Sequence, residues 1–197
     1  MPPGVKITPV GPALKLGEGP HWEPKANVLY YVDVSCGMLN RYDPAKNEHT
    51  SVKIKGHHVS IIIPVKGREG NEFVIATGFD IKHIVWDQKI NDITSEKVLI
   101  NLEENRGDSL LNDGKVDPAG RLWIGSLRFH QKDGSSPSAR LYSLEKGSDK
   151  RIQLSEVSGS NGLTWSLDHK KFYYVDTFKF KIFAYDYDKN AGTIGNV

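Results

Sequence analysis

The sequence predicts an all-β protein, a β-propeller of about four blades. Three observations predict it. Short apolar and aromatic runs alternate with tight turns, no window carries a sustained apolar stripe of helical period, and one strand–turn–strand pattern recurs about every 47 residues. A four-stranded blade repeats with about that period, and a blade buries its faces only by stacking on its neighbours.

The strands are read from composition and alternation. Residues 28–34, 72–77, 81–86, 121–126, 140–144, 171–176 and 181–186 are rich in β-branched, aromatic and other apolar residues. Turns bound them at 44–47, 66–71, 117–120, 168–170 and 188–192, where Gly, Pro, Asn and Asp collect.

The recurring unit has three clear copies. The first runs Gly17-Glu18-Gly19-Pro20-His21-Trp22, then Leu29-Tyr30-Tyr31-Val32-Asp33. The second runs Asn112-Asp113-Gly114-Lys115-Val116-Asp117, then Leu122-Trp123-Ile124-Gly125-Ser126. The third runs Ser160-Asn161-Gly162-Leu163-Thr164-Trp165, then Phe172-Tyr173-Tyr174-Val175-Asp176. In each, a polar residue beside a glycine opens a short strand, and an aromatic strand follows the turn. Asn112 and Asn161 are 49 residues apart and Glu18 and Asn112 are 94 apart, which leaves room for a weaker copy at 59–77. The tryptophans Trp22, Trp86, Trp123 and Trp165 recur near strands and are expected to pack between blades.

Composition bounds the function classes. The 197 residues are read as one incomplete propeller domain, 1–197. Charged residues make up 25% of the chain with a net charge of only +2, and the basic residues are interleaved with acids, so no nucleic-acid surface is expected. His169, Lys170 and Lys171 fall in a turn and read as a solvated loop. The single cysteine, Cys36, allows no internal disulfide and fits a reducing compartment. No run approaches the ~18 apolar residues of a membrane span, and the first ten residues hold prolines and no leader-like apolar core. A cytoplasmic protein without membrane partners is the expectation.

In a propeller the first strand of each blade lines the central channel, so equivalent positions converge there. Glu18, Asn112 and Asn161 hold that position. One carboxylate and two amide carbonyls make a hard-oxygen donor set suited to Ca²⁺ or a similar ion. Taken singly, each Glu-Gly or Asn-Gly is also a common turn; the shared register raises the functional reading. Other catalytic patterns are absent: no G-x-S-x-G elbow, no phosphate-binding loop, no H-E-x-x-H, no Cys-His zinc spacing. His57-His58 reads as a loop pair.

These segments resemble the family that includes regucalcin (senescence marker protein 30), gluconolactonases and firefly luciferin-regenerating enzyme. NDGKVDPAGRLWIGS is the sharpest match, followed by LGEGPHW and SNGLTWSLDHKKFYYVDT, and the likeness, closest to an animal member of insect type, extends from Leu16 to Asn196. The resemblance implies a six-bladed propeller and a metal-dependent lactonase. It implies that Glu18 and Asn161 bind the divalent metal, Ca or Zn, and that Asn112 contacts substrate or bound water. The family's third ligand, an Asp in a later Pro-Asp-Gly segment and the natural catalytic base, does not occur before Val197, so about two blades are expected to be missing.

Two departures concern substrate. The family often has Arg two residues before the matching Asn, where this chain has Leu110; Arg106 lies nearby but out of register. Where the family often has an acid after a Gly-Thr-Met-like segment, this chain has Gly125-Ser126-Leu127 and then Phe129, followed by His130. His130 is read as a substrate-site residue with three open roles: added ligand, base or simple loop histidine. The alternatives to a lactonase are a non-enzymatic calcium-binding regulatory protein and a fragment without activity. Four blades of a six-blade ring are also expected to self-associate through open edges.

Overall fold

The computed structural model describes residues 4–56, 58–68, 70–102, 109–128 and 139–196. The described residues form four antiparallel sheets of four strands, each a simple meander. Blade 1 holds β1 (Gly17–Glu23), β2 (Val28–Asp33), β3 (Met38–Asp43) and β4 (Glu48–Lys53). Blade 2 holds β5 (Ile61–Pro64), β6 (Glu72–Thr77), β7 (Asp80–Asp87) and β8 (Asp92–Asn101). Blade 3 holds β9 (Ser109–Val116), β10 (Leu122–Arg128), β11 (Ala139–Leu144) and β12 (Arg151–Val157). Blade 4 holds β13 (Ser160–Trp165), β14 (Lys171–Asp176), β15 (Lys181–Asp188) and β16 (Thr193–Ile194). This is the four-bladed propeller array that the repeat predicts, and the weaker second copy is β5 and β6. A 3₁₀ turn, Thr177–Lys179, joins β14 to β15. Among the described residues no helix is long and apolar enough to cross a membrane.

One turn chemistry recurs where the third strand of a blade meets the outermost. Asp43 accepts the N–H groups of Ala45 at 3.1 Å and Lys46 at 3.2 Å, and Asn47 follows with φ of 53°. Asp87 accepts those of Lys89 and Ile90 before Asn91, φ 54°, and Asp188 accepts those of Asn190 and Ala191 before Gly192. An aspartate that caps its own turn, with a residue tolerant of the left-handed region four places on, closes the hairpin and sets its register.

Three apolar clusters hold the blades together, one at each junction. Val28, Tyr30, Val32, Leu39 and Val52 of blade 1 meet Ile62, Phe73, Ile75, Ile84 and Trp86 of blade 2. Ile61, Ala76 and Ile81 of blade 2 meet Leu111, Leu122, Ile124 and Tyr142 of blade 3. Trp123, Leu141 and Val157 of blade 3 meet Leu163, Phe172, Tyr174, Tyr185 and Tyr187 of blade 4. Each fully buried large side chain contributes about 1.5–3 kcal/mol. Trp86 and Trp123 are buried and Trp165 packs on the last cluster, as expected of blade-packing residues. Trp22 differs: it is 47% exposed, at the position next to His21, which lines the central cavity. Alternation along β1 therefore directs it away from the packed side.

A polar clasp reinforces the junction of blades 3 and 4. The buried Asp117 carboxylate accepts hydrogen bonds from the Arg121 guanidinium at 3.1 Å, the Trp123 indole at 3.0 Å and the Tyr187 hydroxyl at 2.7 Å. Arg121 also donates to the carbonyls of Lys189 and Asn190 in the blade 4 turn, each at 2.8 Å.

Candidate metal and substrate site

The first strands of all four blades, β1, β5, β9 and β13, border one cavity of about 310 Å³. Its lining includes Glu18, His21, Ile61, Ile62, Asp113, Lys115 and Gly162. This is where the repeat argument expects equivalent positions to meet.

Backbone irregularity explains why polar groups point into it. The β1–β2 ladder slips between Glu18 and His21, the β9–β10 ladder slips where Ser126 pairs with Leu111 and Ile124 with Gly114, and the β13–β14 ladder slips between Asn161 and Leu163. Each slip is a bulge at the proposed functional residue, and a bulge re-aims a side chain. β5 pairs with β6 without a slip and presents Ile61 and Ile62, so the second blade adds a wall and no donor. Glycine makes two of these bulges possible. Gly19 has φ of 55°, and Gly162 has φ of 35° with room lacking for a methyl group, which would sit 2.7 Å from Val175 Cγ2.

The expected residues are placed as follows. Glu18 stands in the cavity, open to solvent. Burial, and then the negative charge of Asp113, push its carboxyl above the ordinary range, against a hydrogen bond from the Gly19 N–H. Asn112, half-buried, donates its side-chain amide to the Ser160 carbonyl at 2.8 Å across the blade 3–4 junction. Asn161, half-buried, donates to the Thr177 hydroxyl at 3.1 Å, while its carbonyl accepts the Gly162 N–H at 3.1 Å. Neither asparagine lines the cavity that holds Glu18. Leu110 lies in β9 directly opposite Leu127. Arg106, Phe129, His130 and His57 lie outside the described residues.

The residue that sequence reasoning passed over is Asp113. It lines the cavity with Glu18, is half-buried, and accepts the Gly114 N–H at 2.8 Å. Burial pushes its carboxyl up, against the N–H groups of Gly114 and Gly162 and the charge of Lys115. The available signal was its carboxylate, one place on from Asn112 in the same string; a bulge decides which of two successive residues faces the axis. His21 faces the same space, its imidazole pushed down by burial, with Glu23 opposing and Lys115 adding to the effect.

Among the described residues no three of His, Cys, Asp and Glu gather as a metal cluster. The charged donors that line the cavity are two carboxylates, Glu18 and Asp113, which suit a hard cation. The fit is also electrostatic, because Glu18 and Asp113 repel one another around a single cavity and a cation relieves that repulsion.

Comparison with known proteins gives the family. A family model described as the SMP-30/gluconolactonase/LRE-like region matches residues 16–197. Regucalcin of Gallus gallus is 32% identical over 200 residues, covering 98% of this chain and 62% of that protein. Regucalcin of Danio rerio is 33% identical over 182 residues, covering 92% and 58%. The chain thus spans about three-fifths of the length of the curated relatives it matches. A solved luciferin-regenerating enzyme superposes with a TM-score of 0.86 at 34% identity, covering 93% of this chain and 59% of that one. A calcium-binding protein, regucalcin from Agrobacterium tumefaciens, shares the fold with a TM-score of 0.77 at 21% identity. With the four-bladed array, the bulged first strands and the sequence match across nearly its whole length, the chain belongs to the SMP-30/gluconolactonase/LRE-like family.

Proposed function

We propose that this protein hydrolyses sugar lactones or related lactones with the aid of a divalent cation, Ca²⁺ or Zn²⁺, held by Glu18 in the axial cavity and by Asn161, the residue next to Gly162 at the cavity's edge. The observation that supports it is the convergence of Glu18 and Asp113 on one cavity bordered by all four first strands. Family membership supports the coarser statement, a lactonase-like or calcium-binding function of the regucalcin type.

When bound, the cation supplies a Lewis acid for the lactone carbonyl and lowers the pKa of a bound water. The chain's own residues do the rest. Glu18 contributes the carboxylate donor and Asn161 an amide oxygen whose orientation is fixed by Thr177 and Gly162. Asn112, anchored on the Ser160 carbonyl, holds a polar group beside the cavity for the substrate. Asp113 carries a carboxyl pushed up by burial, and such a group takes a proton near neutral pH more readily than an ordinary aspartate. His130 is proposed as a further substrate contact.

The test is hydrolysis of glucono-1,5-lactone followed by proton release, with EDTA and with re-added Ca²⁺ or Zn²⁺. Activity that vanishes with the chelator and returns with the ion is expected; activity indifferent to EDTA contradicts the mechanism. A second reading, cation binding without catalysis, is favoured by Leu110, which cannot hydrogen-bond a sugar hydroxyl. It predicts calorimetric Ca²⁺ binding with no hydrolysis of any lactone.

A further inference from the structure

We infer that the lactone bound here carries a second, anionic group, which the Lys115 ammonium and the His21 imidazole receive further along the axial cavity. The inference rests on the lactonase reading for the lactone itself and adds the class of substrate.

The lining of the axial cavity carries both signs of charge. Glu18 and Asp113 give it two carboxylates, and Lys115 and His21 border the same space. Lys115 follows Asp113 by two places on β9, and His21 follows Glu18 by three places on β1. The two strands are equivalent members of the repeat, so both residues are displaced from the carboxylates in the same direction along the axis. At about 3.3 Å per residue the displacement is roughly 7–10 Å, the length of a six-carbon sugar lactone with its carbonyl at one end. Lys115 acts on its neighbours at this range. Its charge opposes the burial that pushes the Asp113 carboxyl up, and it adds to the burial that pushes the His21 imidazole down. Among the described residues its ammonium is nonetheless held in no ion pair, because neither cavity carboxylate comes within contact distance of it.

Charge decides what this part of the cavity receives. A bound dication offsets the two carboxylates, and the Lys115 ammonium is then the surplus charge of the lining. Glu23 opposes the lowering of the His21 imidazole but does not itself border the cavity. The walls between are apolar, with Ile61, Ile62 and Val116, and an apolar wall strengthens the field of a nearby charge. A hydroxymethyl group placed here gives the ammonium a neutral acceptor no better than water. A carboxylate gives it a charge-assisted hydrogen bond, which is about twice as strong. His21, kept neutral at neutral pH by burial, supplies one ring N–H as a second donor and adds no charge.

The test uses the full 197-residue chain with Ca²⁺ present and a matched pair of probes. Glucaro-1,4-lactone carries a carboxylate where glucono-1,4-lactone carries a hydroxymethyl group. Calorimetric titration with each lactone compares the wild type, Lys115→Met and Lys115→Arg. Lys115 is exposed, so neither substitution disturbs the core, and methionine keeps the length of the apolar stem. The wild type is expected to bind the anionic lactone about tenfold more tightly than the neutral one. That preference should vanish in Lys115→Met and persist in Lys115→Arg. Equal affinity for the two lactones, no binding of either, a preference unchanged in Lys115→Met, or its loss in both variants alike overturns the inference. Hydrolysis of both lactones is measured in parallel. A preference in binding that depends on Lys115, with neither lactone hydrolysed, removes the lactonase reading and leaves the anion subsite. Hydrolysis of both lactones with equal kcat/KM, unaffected by Lys115→Met, does the reverse.

Discussion

Asp113 shows where residue-level reading from sequence stops. The repeat located Glu18, Asn112 and Asn161 at equivalent places because polar-Gly pairs are visible at a fixed period. It did not show that the β9 ladder slips beside Asn112, and a slip of one residue exchanges the faces of a strand. The cavity consequently presents the carboxylate of Asp113, while Asn112 reaches across to blade 4. Asp113→Asn removes one of two charges around the proposed cation and is expected to weaken Ca²⁺ binding roughly tenfold or more, since charge dominates affinity for a hard dication. Unchanged affinity in a calorimetric titration would place Asp113 outside the site. Gly162 makes a second prediction at this scale. A side chain there meets Val175 at 2.7 Å and a φ of 35°, so Gly162→Ala is expected to cost about 1–3 kcal/mol in urea unfolding and to displace Asn161. Full stability with full cation affinity would show that the bulge does not position Asn161.

Among the elements, those legible in advance were the second strands of the blades and, β3 excepted, the third strands. Their runs, such as 72–77 and 171–176, agree with β6 and β14 residue for residue because buried strands are dense in aromatic and β-branched side chains. The outermost strands were not legible. β8, Asp92–Asn101, is exposed along almost its whole length and shows no alternation, and it exists because it pairs with β7. β4 and β12 are of the same kind, half solvated and polar. The Asp117–Arg121 clasp was also hidden, since 117–120 read only as a turn. Burial alone would raise the Asp117 carboxyl, but the hydrogen bonds from Tyr187, Arg121, Trp123 and Ala119 together outweigh it and hold it below the ordinary range. A carboxyl depressed in the folded state stabilises the fold above its unfolded value, near 3.8, and that contribution is lost as pH falls through the folded value. Asp117→Ala takes the buried carboxylate away from Arg121, which keeps the Glu145 carboxylate at 3.5 Å and the two blade 4 carbonyls, and also orphans the Trp123 indole and Tyr187 hydroxyl; it is expected to cost about 2–4 kcal/mol. Urea unfolding at pH 7 and at pH 3 checks both statements: the difference between wild type and variant should shrink at the lower pH. A difference that stays constant would mean that packing, not charge, holds the clasp.

For the whole molecule, the three junction clusters account for the packed faces, and the large exposed apolar residues gather mostly at the two ends of the array. Leu167, Tyr173, Phe180 and Ile182 on blade 4 are between 39% and 101% exposed, and Leu16 and Trp22 on the blade 1 side are 46% and 47% exposed. Such surface favours self-association, so the 197-residue chain is expected to sediment as dimers or larger species and to bind a hydrophobic dye. A monodisperse, dye-free monomer that unfolds cooperatively would show that four blades bury enough by themselves. The central claim is that the first strands of the blades bring a cation-binding set to one cavity, with Glu18 as its principal charge. Its most direct measurement is calorimetric titration of Ca²⁺ and Zn²⁺ into the wild type, Glu18→Gln and Asn112→Ala. One equivalent of ion bound by the wild type, with a far larger loss of affinity at Glu18 than at Asn112, is the predicted result. Equal losses, or a larger loss at Asn112, would contradict it.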